Sequence, residues 1–446
     1  MRRILLSLPE FRLDDLQFGY ISGLTGVSDL LESQFESLNS NGWSLIISDS
    51  RTEPILRFVN NLSHGRNSIF FPPGFSGEEA IAIANAISPA YLNKEGGFAA
   101  FLTSGSTGKP KVVIHSYSNL ISAAKKIVTR YPHIEGAKLH HLFPSHYMAG
   151  LLNCTLVPWL AGGSIFLDRL FDFRTPFIVG ESIRNHSTEY AWLSPNMVQS
   201  LSESWKSKLG APSLWNTILN ATGPLFTKSR DEFEETFKSR VLNTYGSTEL
   251  LFISSELRGE HEVTAGGFFP GVIHRIDSKV EDTTRSVGVL AIKSDTLATG
   301  IAKFNKELKV YVHEFLSQDE FIETNDLVGF DVETRLKVLG RVDDVVVLGG
   351  VNYNLTEIEE AAVSFPGVTA SCAFAPFGGV AGDLHLVFET NEDHLDFSLD
   401  EFMNFMSRTL GDSKPRRLLR STIARTHTGK IDRQQTMSAT INGEQL

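Results

Sequence analysis

The sequence predicts an α/β fold made of a large N-terminal domain and a small, mobile α+β C-terminal domain, on three observations. Short apolar runs alternate with helical stretches through residues 40 to 300, the pattern of strands covered by helices. At 446 residues the chain exceeds one ordinary hydrophobic core and divides into at least two domains. A charged, glycine-containing break, Leu339-Gly-Arg-Val-Asp-Asp344, precedes a stretch with mixed strand and helix signals. The expected division is therefore 1–340 and 341–446.

In chain order, Trp43–Ile47, Leu56–Leu62 and Ile69–Phe71 read as one β-α-β unit, followed by a helix over Gly77–Ile87. Phe98–Leu102 and Val112–His115 read as strands. Ser116 then caps a helix whose apolar face is Leu120, Ala123, Ala124, Ile127 and Val128. The run Leu151–Leu160, with Trp159, fits a pocket wall or a plain core helix equally well. Gly163–Leu167, Tyr190–Leu193 and Thr217–Asn220 are strands, with a helix over Met197–Lys208. Val272–Ile292 and Lys309–Phe321 look like hairpins. Past the break come a strand Val345–Leu348 and a helix Thr356–Val363, with Thr356 as N-cap and Glu359 completing a capping box. Strands Ala370–Ala375 and Leu384–Phe388 and a helix Leu399–Leu410 follow.

Composition narrows the function classes. A net charge of −11, from 41 basic and 52 acidic residues, argues against nucleic acid or an anionic membrane as a partner. Two cysteines, Cys154 and Cys372, support neither a disulfide framework nor a zinc site and read as buried thiols in a reducing cytoplasm. The start, Met1-Arg-Arg-Ile-Leu-Leu-Ser-Leu-Pro9, has too brief an apolar run for a signal peptide, and no run approaches a membrane span. A cytoplasmic protein is expected.

The densest chemistry lies in Leu102-Thr-Ser-Gly-Ser-Thr-Gly-Lys-Pro-Lys111. A strand ending there presents backbone N–H groups, the hydroxyls of Thr103, Ser104, Ser106 and Thr107, and the cations of Lys109 and Lys111. Gly105 and Gly108 let the backbone approach a ligand closely. Such concave nests bind phosphates, and a nucleoside triphosphate is the expected guest. The Walker spacing fails, because Thr103 stands five residues before Gly108 and Pro110 follows Lys109. A second motif, Asn243-Thr-Tyr-Gly-Ser-Thr-Glu249, offers a flat aromatic, a hydroxyl and a carboxylate, suited to a nucleobase, a phosphate oxygen and Mg²⁺. By itself that heptapeptide is also an ordinary helix start.

Together with Asn220-Ala-Thr-Gly-Pro-Leu225, Glu323-Thr-Asn-Asp326, Gly340-Arg-Val-Asp343 and Arg425-Thr-His-Thr-Gly-Lys430-Ile-Asp-Arg433, these segments resemble, in order, the motifs of the adenylate-forming superfamily. That superfamily includes acyl-CoA synthetases, luciferases and peptide-synthetase adenylation domains. The resemblance implies an ATP- and Mg²⁺-dependent ligase that converts an acid to an acyl-AMP and then to a thioester. It assigns the loop 103–108 and Lys111 to the phosphates, Tyr245 to adenine, Thr248 to the α-phosphate and Glu249 to the metal. Thr222 and Gly223 line the adenine and acyl pockets, and Asp326 and Arg341 hold the ribose, with Asn325 replacing the usual glycine. Asp343 is the pivot, Gly349, Gly350, Glu357 and Glu359 lie along the pantetheine route, and Lys430 bridges carboxylate and α-phosphate.

Phe143-Pro-Ser-His146 resembles the element beside the acyl site, with His146 as gate. The aspartate of amino-acid-activating relatives is missing after Phe143, which excludes amino acids. No arginine between His146 and Arg169 is positioned to recognise a second carboxylate. The length resembles compact members such as o-succinylbenzoate-CoA ligases. The front is shorter than in typical relatives, implying an abbreviated N-terminal subdomain and exposed surface for self-association. Val289 stands where relatives have Gly-Glu-Leu. Coenzyme A or an acyl carrier protein is the expected acceptor, and a noncatalytic nucleotide-binding protein is the alternative from another class.

Overall fold

The computed structural model describes residues 9–15, 19–34, 38–91, 94–103, 109–205, 211–257, 263–277, 287–348, 351–376, 384–390, 397–425 and 431–443. The chain divides into two compact units. The first takes residues 1–225, 230–273 and 292–321; the second takes 226–229, 274–291 and 322–446, and so begins ahead of the pivot expected at Arg341–Asp343.

Two sheets build the large unit. The nine-stranded one runs in the order Gly267–Phe268, Leu251–Ser255, Arg240–Ser247, Thr217–Asn220, Tyr190–Leu193, Lys138–His141, Ser164–Leu167, Arg12–Asp15, Gly19–Ser22. Its pairs are parallel from Arg240–Ser247 through to Arg12–Asp15 and antiparallel beyond these strands at both ends. Parallel strands need long crossovers, and the helices Thr175–His186, Pro195–Trp205 and Thr227–Phe237 alternate with them. The seven-stranded sheet runs Val310–Phe315, Gly300–Asn305, Lys111–Ser116, Phe98–Thr103, Asn67–Phe71, Trp43–Ile47, Leu38–Ser40. Trp43–Ile47 pairs parallel with Asn67–Phe71 across the helix Thr52–His64, the β-α-β unit expected from the sequence. Gly65 ends that helix in the left-handed conformation (φ 63°). A Cβ on Gly97 would lie 2.6 Å from the Gly65 carbonyl carbon, so two chain segments touch where only glycine fits.

The helix Tyr117–Arg130 starts as expected, with Ser116 accepting from the Asn119 amide. Its buried face, Leu120, Ala123, Ala124 and Ile127, joins Phe58, Phe70, Phe101 and Trp159 in the main core. Both cysteines are free and buried. Residues 12–34 add two strands and a helix that the apolar pattern did not mark. Phe11 packs edge-on against Trp159 at 5.5 Å, and the Trp159 indole donates to the Pro9 carbonyl at 2.7 Å.

Four local expectations are corrected. The run beginning at Leu151 is a π-helix, Ala149–Leu156, leading into an α-helical turn Val157–Leu160. The hairpin expected over Lys309–Phe321 instead pairs Gly300–Asn305 with Val310–Phe315, with Lys309 in its turn at φ 54°. The helix expected over Met197–Lys208 begins earlier, at Pro195, and is described to Trp205, residues 206–208 lying outside the described residues. In the small unit, the helix Leu355–Ser364 is capped by Asn354, whose side chain accepts from the Thr356 amide. The helix begins at Leu355, so Thr356 lies inside its first turn and is not the cap.

A four-stranded sheet, Val272–Asp277, Gly288–Ser294, Ile322–Phe330, Leu336–Arg341, falls mostly within the small unit, which also carries the hairpin Val345–Leu348 with Val351–Asn354. A three-stranded sheet, Val368–Phe374, His385–Thr390, Arg417–Arg420, packs with Leu355–Ser364 and Leu399–Leu410 around Ile358, Leu386, Phe388 and Phe402. Gly340 takes φ 141°, and a Cβ there would lie 2.9 Å from the Thr356 hydroxyl, so glycine is required at the break. Among the described residues no helix is long and apolar enough to cross a membrane.

Candidate functional site

In the large unit, Phe98–Thr103 enters the Ser/Thr/Gly loop and Lys111–Ser116 leaves it, antiparallel, with Thr103 opposite Lys111. Ser104, Gly105, Ser106, Thr107 and Gly108 lie outside the described residues. At the two feet of the loop, the Thr103 hydroxyl lies 3.5 Å from the Lys111 carbonyl oxygen, and the Lys109 ammonium donates to Glu79 Oε1 at 2.9 Å. Lys111 pairs through its ammonium with Glu249, 138 positions away. Burial opposes the charge on Glu249, but the Lys111 ammonium outweighs it and holds the carboxyl below its ordinary range. Glu249 is therefore ionised at neutral pH.

Glu249 and Thr248 lie in the tight turn between Arg240–Ser247 and Leu251–Ser255. The ladder slips between Tyr245 and Gly246, and Leu251 adopts φ 59°. A Cβ on Gly246 would fall 2.0 Å from the Leu251 carbonyl oxygen. Only glycine permits this irregular turn, which leaves Tyr245 half-buried at the strand end. Next to it, Asn220 is in register with Asn243 and donates to its side-chain oxygen at 2.9 Å. Past Asn220, Thr222 holds a left-handed backbone (φ 83°), which is costly for a β-branched residue. Gly223 has no such demand, with Pro195 Cγ 3.6 Å from its missing Cβ.

His146 follows a segment hung from Arg51, whose guanidinium donates to the Phe143 carbonyl at 2.7 Å and the His141 carbonyl at 3.3 Å. The His146 ring sits 4.3 Å from the Tyr147 ring. A Cβ on Gly150 would lie 2.2 Å from the Pro144 carbonyl oxygen, so the π-helix starts in contact with this segment. π-helical turns of this kind recur at functional sites.

In the small unit, Asp326 and Arg341 are register partners on antiparallel strands, 3.6 Å apart through Oδ1 and Nη1. Asn325 takes φ 62°, the conformation its replacement of glycine requires. Arg341 also lies 3.5 Å from Asp343. Gly349, Gly350 and Lys430 lie outside the described residues. On either side of Lys430, Arg425 and Ile431 form an antiparallel bridge, and the Asp432 amide donates to the Ala424 carbonyl at 2.8 Å. Glu357 is exposed, whereas Glu359 is buried and neither caps its helix nor faces open chain. It accepts from the Ala373 amide and from Arg433, both at 2.8 Å, and Arg433 also pairs with Asp344. Burial pushes the Glu359 carboxyl up, and the Arg433 charge opposes that.

Sequence reasoning passed over Arg51, His115 and Arg433 as working parts. His115 carried a usable signal: a titratable residue closing the apolar run Val112-Val-Ile114. Arg51 carried none, because its partners lie about ninety positions away.

Among the described residues no three His, Cys, Asp or Glu side chains converge as a metal cage. One ionised carboxylate, Glu249, fits a Mg²⁺ whose remaining ligands come from phosphate and water.

Residues 73–302 match the model of the AMP-binding enzyme family. The malonate–CoA ligase of Arabidopsis thaliana is 24% identical over 358 residues, covering 75% of this chain; the chain spans 58% of that relative's length. The ATP-bound structure of MatB from Rhodopseudomonas palustris superposes with a TM-score of 0.77 at 17% identity, covering 98% of each chain. The o-succinylbenzoate CoA synthetase MenE from Bacillus subtilis, bound to its acyl-adenylate, gives a TM-score of 0.72 at 18% identity, covering 97% of this chain and 96% of that one. With a family match across more than half of its residues, the chain belongs to the AMP-binding enzyme family.

Proposed function

We propose that this protein activates a small carboxylic acid with ATP and transfers the acyl group to coenzyme A. The carboxylate oxygen bonds to the α-phosphorus as pyrophosphate leaves, giving an acyl-AMP. The coenzyme A thiol then displaces AMP and loses its proton to solvent. The observation that carries this reading is the meeting of Lys111, from the loop exit, with Glu249 in the Thr248 turn. Two motifs far apart in sequence thereby supply a cation, a hydroxyl and an ionised carboxylate at one point. The ligase names of similar proteins support the same chemistry.

Each residue then has a task. The loop from Thr103 through Ser104, Gly105, Ser106, Thr107 and Gly108, with Lys111, binds phosphates through N–H, hydroxyl and ammonium groups. Tyr245 faces adenine, Asp326 accepts from both ribose hydroxyls, and Arg341 supports the ribose. Thr222 and Gly223 border nucleotide and acid, and His146 closes the acyl side. Bringing two anions together is opposed by Coulomb repulsion once water is excluded. Lys430 offsets that charge on the carboxylate and α-phosphate. A Mg²⁺ held by Glu249 would neutralise charge on the leaving pyrophosphate. Residues 341–446 turn about Asp343 after adenylation, withdrawing Lys430 and bringing Gly349 and Gly350 to the acceptor. We place this chemistry in the cytoplasm, without a nucleic-acid or membrane partner.

The test is incubation with ATP, Mg²⁺ and a panel of aryl, short-chain and medium-chain acids, with and without coenzyme A. Acid-dependent pyrophosphate release that rises with coenzyme A and is lost in Lys430→Ala supports the reading. Acyl-AMP formation indifferent to coenzyme A reassigns the acceptor to a carrier-protein phosphopantetheine. ATP binding without pyrophosphate release from any acid overturns the activity in favour of a noncatalytic nucleotide binder.

A further inference from the structure

His115 is fully buried in a strand whose other interior residues, Val112, Val113 and Ile114, are apolar. Its Nε2 lies 2.7 Å from the Thr248 carbonyl oxygen. A carbonyl only accepts, so Nε2 carries the hydrogen and Nδ1 is the bare nitrogen. Burying an imidazole is costly unless it is hydrogen-bonded, and this bond to the turn is the compensation the structure offers.

The turn is gripped residue by residue. The Thr248 carbonyl accepts from His115, the Glu249 carbonyl from the Ala298 amide at 2.7 Å, and the Leu250 carbonyl from the Thr296 hydroxyl at 3.1 Å. His115 differs from the other two donors in where it comes from. Lys111 and His115 stand four apart on one strand, and even spacing directs both side chains to the same sheet face. One strand therefore reaches successive residues of the turn: Lys111 takes the Glu249 carboxylate, and His115 takes the Thr248 carbonyl.

We propose that His115 is a positioning residue for the nucleotide: its N–H fixes the Thr248–Glu249 turn in register with the strand Lys111–Ser116. The inference rests on the reading that Thr248 and Glu249 face the phosphates and their metal. Burial pushes the His115 pKa down to about 4, so the imidazole remains a neutral donor across the physiological range. The grip therefore does not switch with pH.

The experiment compares wild type with His115→Gln, which retains an N–H donor, His115→Leu, which does not, and Thr296→Val, which frees only the Leu250 carbonyl. MgATP affinity is measured by titration calorimetry, acid-dependent ATP–pyrophosphate exchange gives separate KM values for MgATP and acid, and thermal melting monitors folding. His115→Leu is expected to weaken MgATP binding about tenfold, the scale of one buried hydrogen bond. Its acid KM should stay within about twofold of wild type, since no acyl-site contact is lost. His115→Gln should recover most of the MgATP affinity, and Thr296→Val should change it less than His115→Leu. Unchanged MgATP affinity in folded His115→Leu would overturn the proposal. So would a His115→Gln variant that folds but binds MgATP no better than His115→Leu. If wild type binds MgATP but exchanges no pyrophosphate, the ligase reading fails while the binding series still decides the role of His115. If wild type does not bind MgATP, both fall.

Discussion

The turn carrying Thr248 and Glu249 and the hairpin carrying Asp326 and Arg341 hold their charged groups in opposite ways. In the large unit, three consecutive carbonyls are taken by His115, Ala298 and Thr296, and the Glu249 carboxylate is only about a quarter exposed. In the small unit, Arg341 is half exposed and stands 3.5 to 3.6 Å from Asp343 and Asp326. Those separations exceed a direct hydrogen bond. A buried, fully bonded turn fixes the direction of a carboxylate, whereas a half-exposed guanidinium trades partners with water at little cost, even though the Asp326 carboxylate it faces is only 13% exposed. The contrast is local: in the same unit, Arg433 is locked between Asp344, Glu359 and the Ala373 carbonyl. The small unit thus holds Arg341 loosely and Arg433 firmly.

The largest effect expected from this contrast is at Glu249. Glu249→Gln should slow acid-dependent pyrophosphate exchange about 100-fold or more, since the ionised carboxylate proposed to hold Mg²⁺ is lost. Its melting temperature should change little. A variant that melts early but exchanges normally would make the turn structural rather than chemical.

Next comes the small unit's firm point. Arg433→Met should cost about 3 kcal/mol in urea unfolding, because buried Glu359 loses its cation. A loss under about 0.5 kcal/mol would reduce this cluster to an ordinary surface pair.

A smaller, pH-dependent effect belongs to the core of the large unit. His140 is buried, with Nε2 2.9 Å from Asp168 Oδ2 and Nδ1 3.2 Å from the Thr188 hydroxyl. Burial pushes its pKa down even though Asp168 opposes this. An unfolded histidine titrates at about 6.5, so as pH falls below that value the unfolded chain binds the proton first and stability declines. His140→Asn should lose less stability than wild type between pH 7 and 5, by about 1 kcal/mol. Parallel curves would show that His140 is not the group responsible. Asp168, held at about 2, adds a separate loss only below about pH 4.

The smallest effect is predicted at Arg341. Arg341→Gln should change unfolding stability by less than about 0.5 kcal/mol, because the guanidinium is half exposed and 3.6 Å from Asp326, while raising the KM for ATP. A larger stability loss would erase the contrast between the two regions.

Much of this was legible along the chain, because the signals were local. The strand Tyr190–Leu193 and the helix Leu399–Leu410 follow from apolar runs and spacing. The Ser/Thr/Gly loop, the Tyr245–Glu249 motif and Asp326 are short segments whose residue types suggest the chemistry proposed for them. Local signals failed where two were in competition. Thr356 and Asn354 both suit an N-cap, and only the backbone at Asn354 (φ −86°, ψ 108°) places it outside the first turn. Glu359 has the spacing of a capping-box acid but is drawn inward by Arg433, 74 positions away.

By itself the sequence determined the α/β class, the family motifs and the residue types that we propose meet phosphate, ribose and metal. Each is written in contiguous residues whose backbone and hydrogen-bonding needs are met nearby. The tertiary structure decided which distant groups hold those motifs in place. Arg51 supports the Phe143 carbonyl, His115 the Thr248 turn, and Arg433 joins Asp344 to Glu359. These partners share no spacing rule, because what pairs them is the need of buried polar groups for a donor or acceptor wherever the folded chain brings one within about 3 Å.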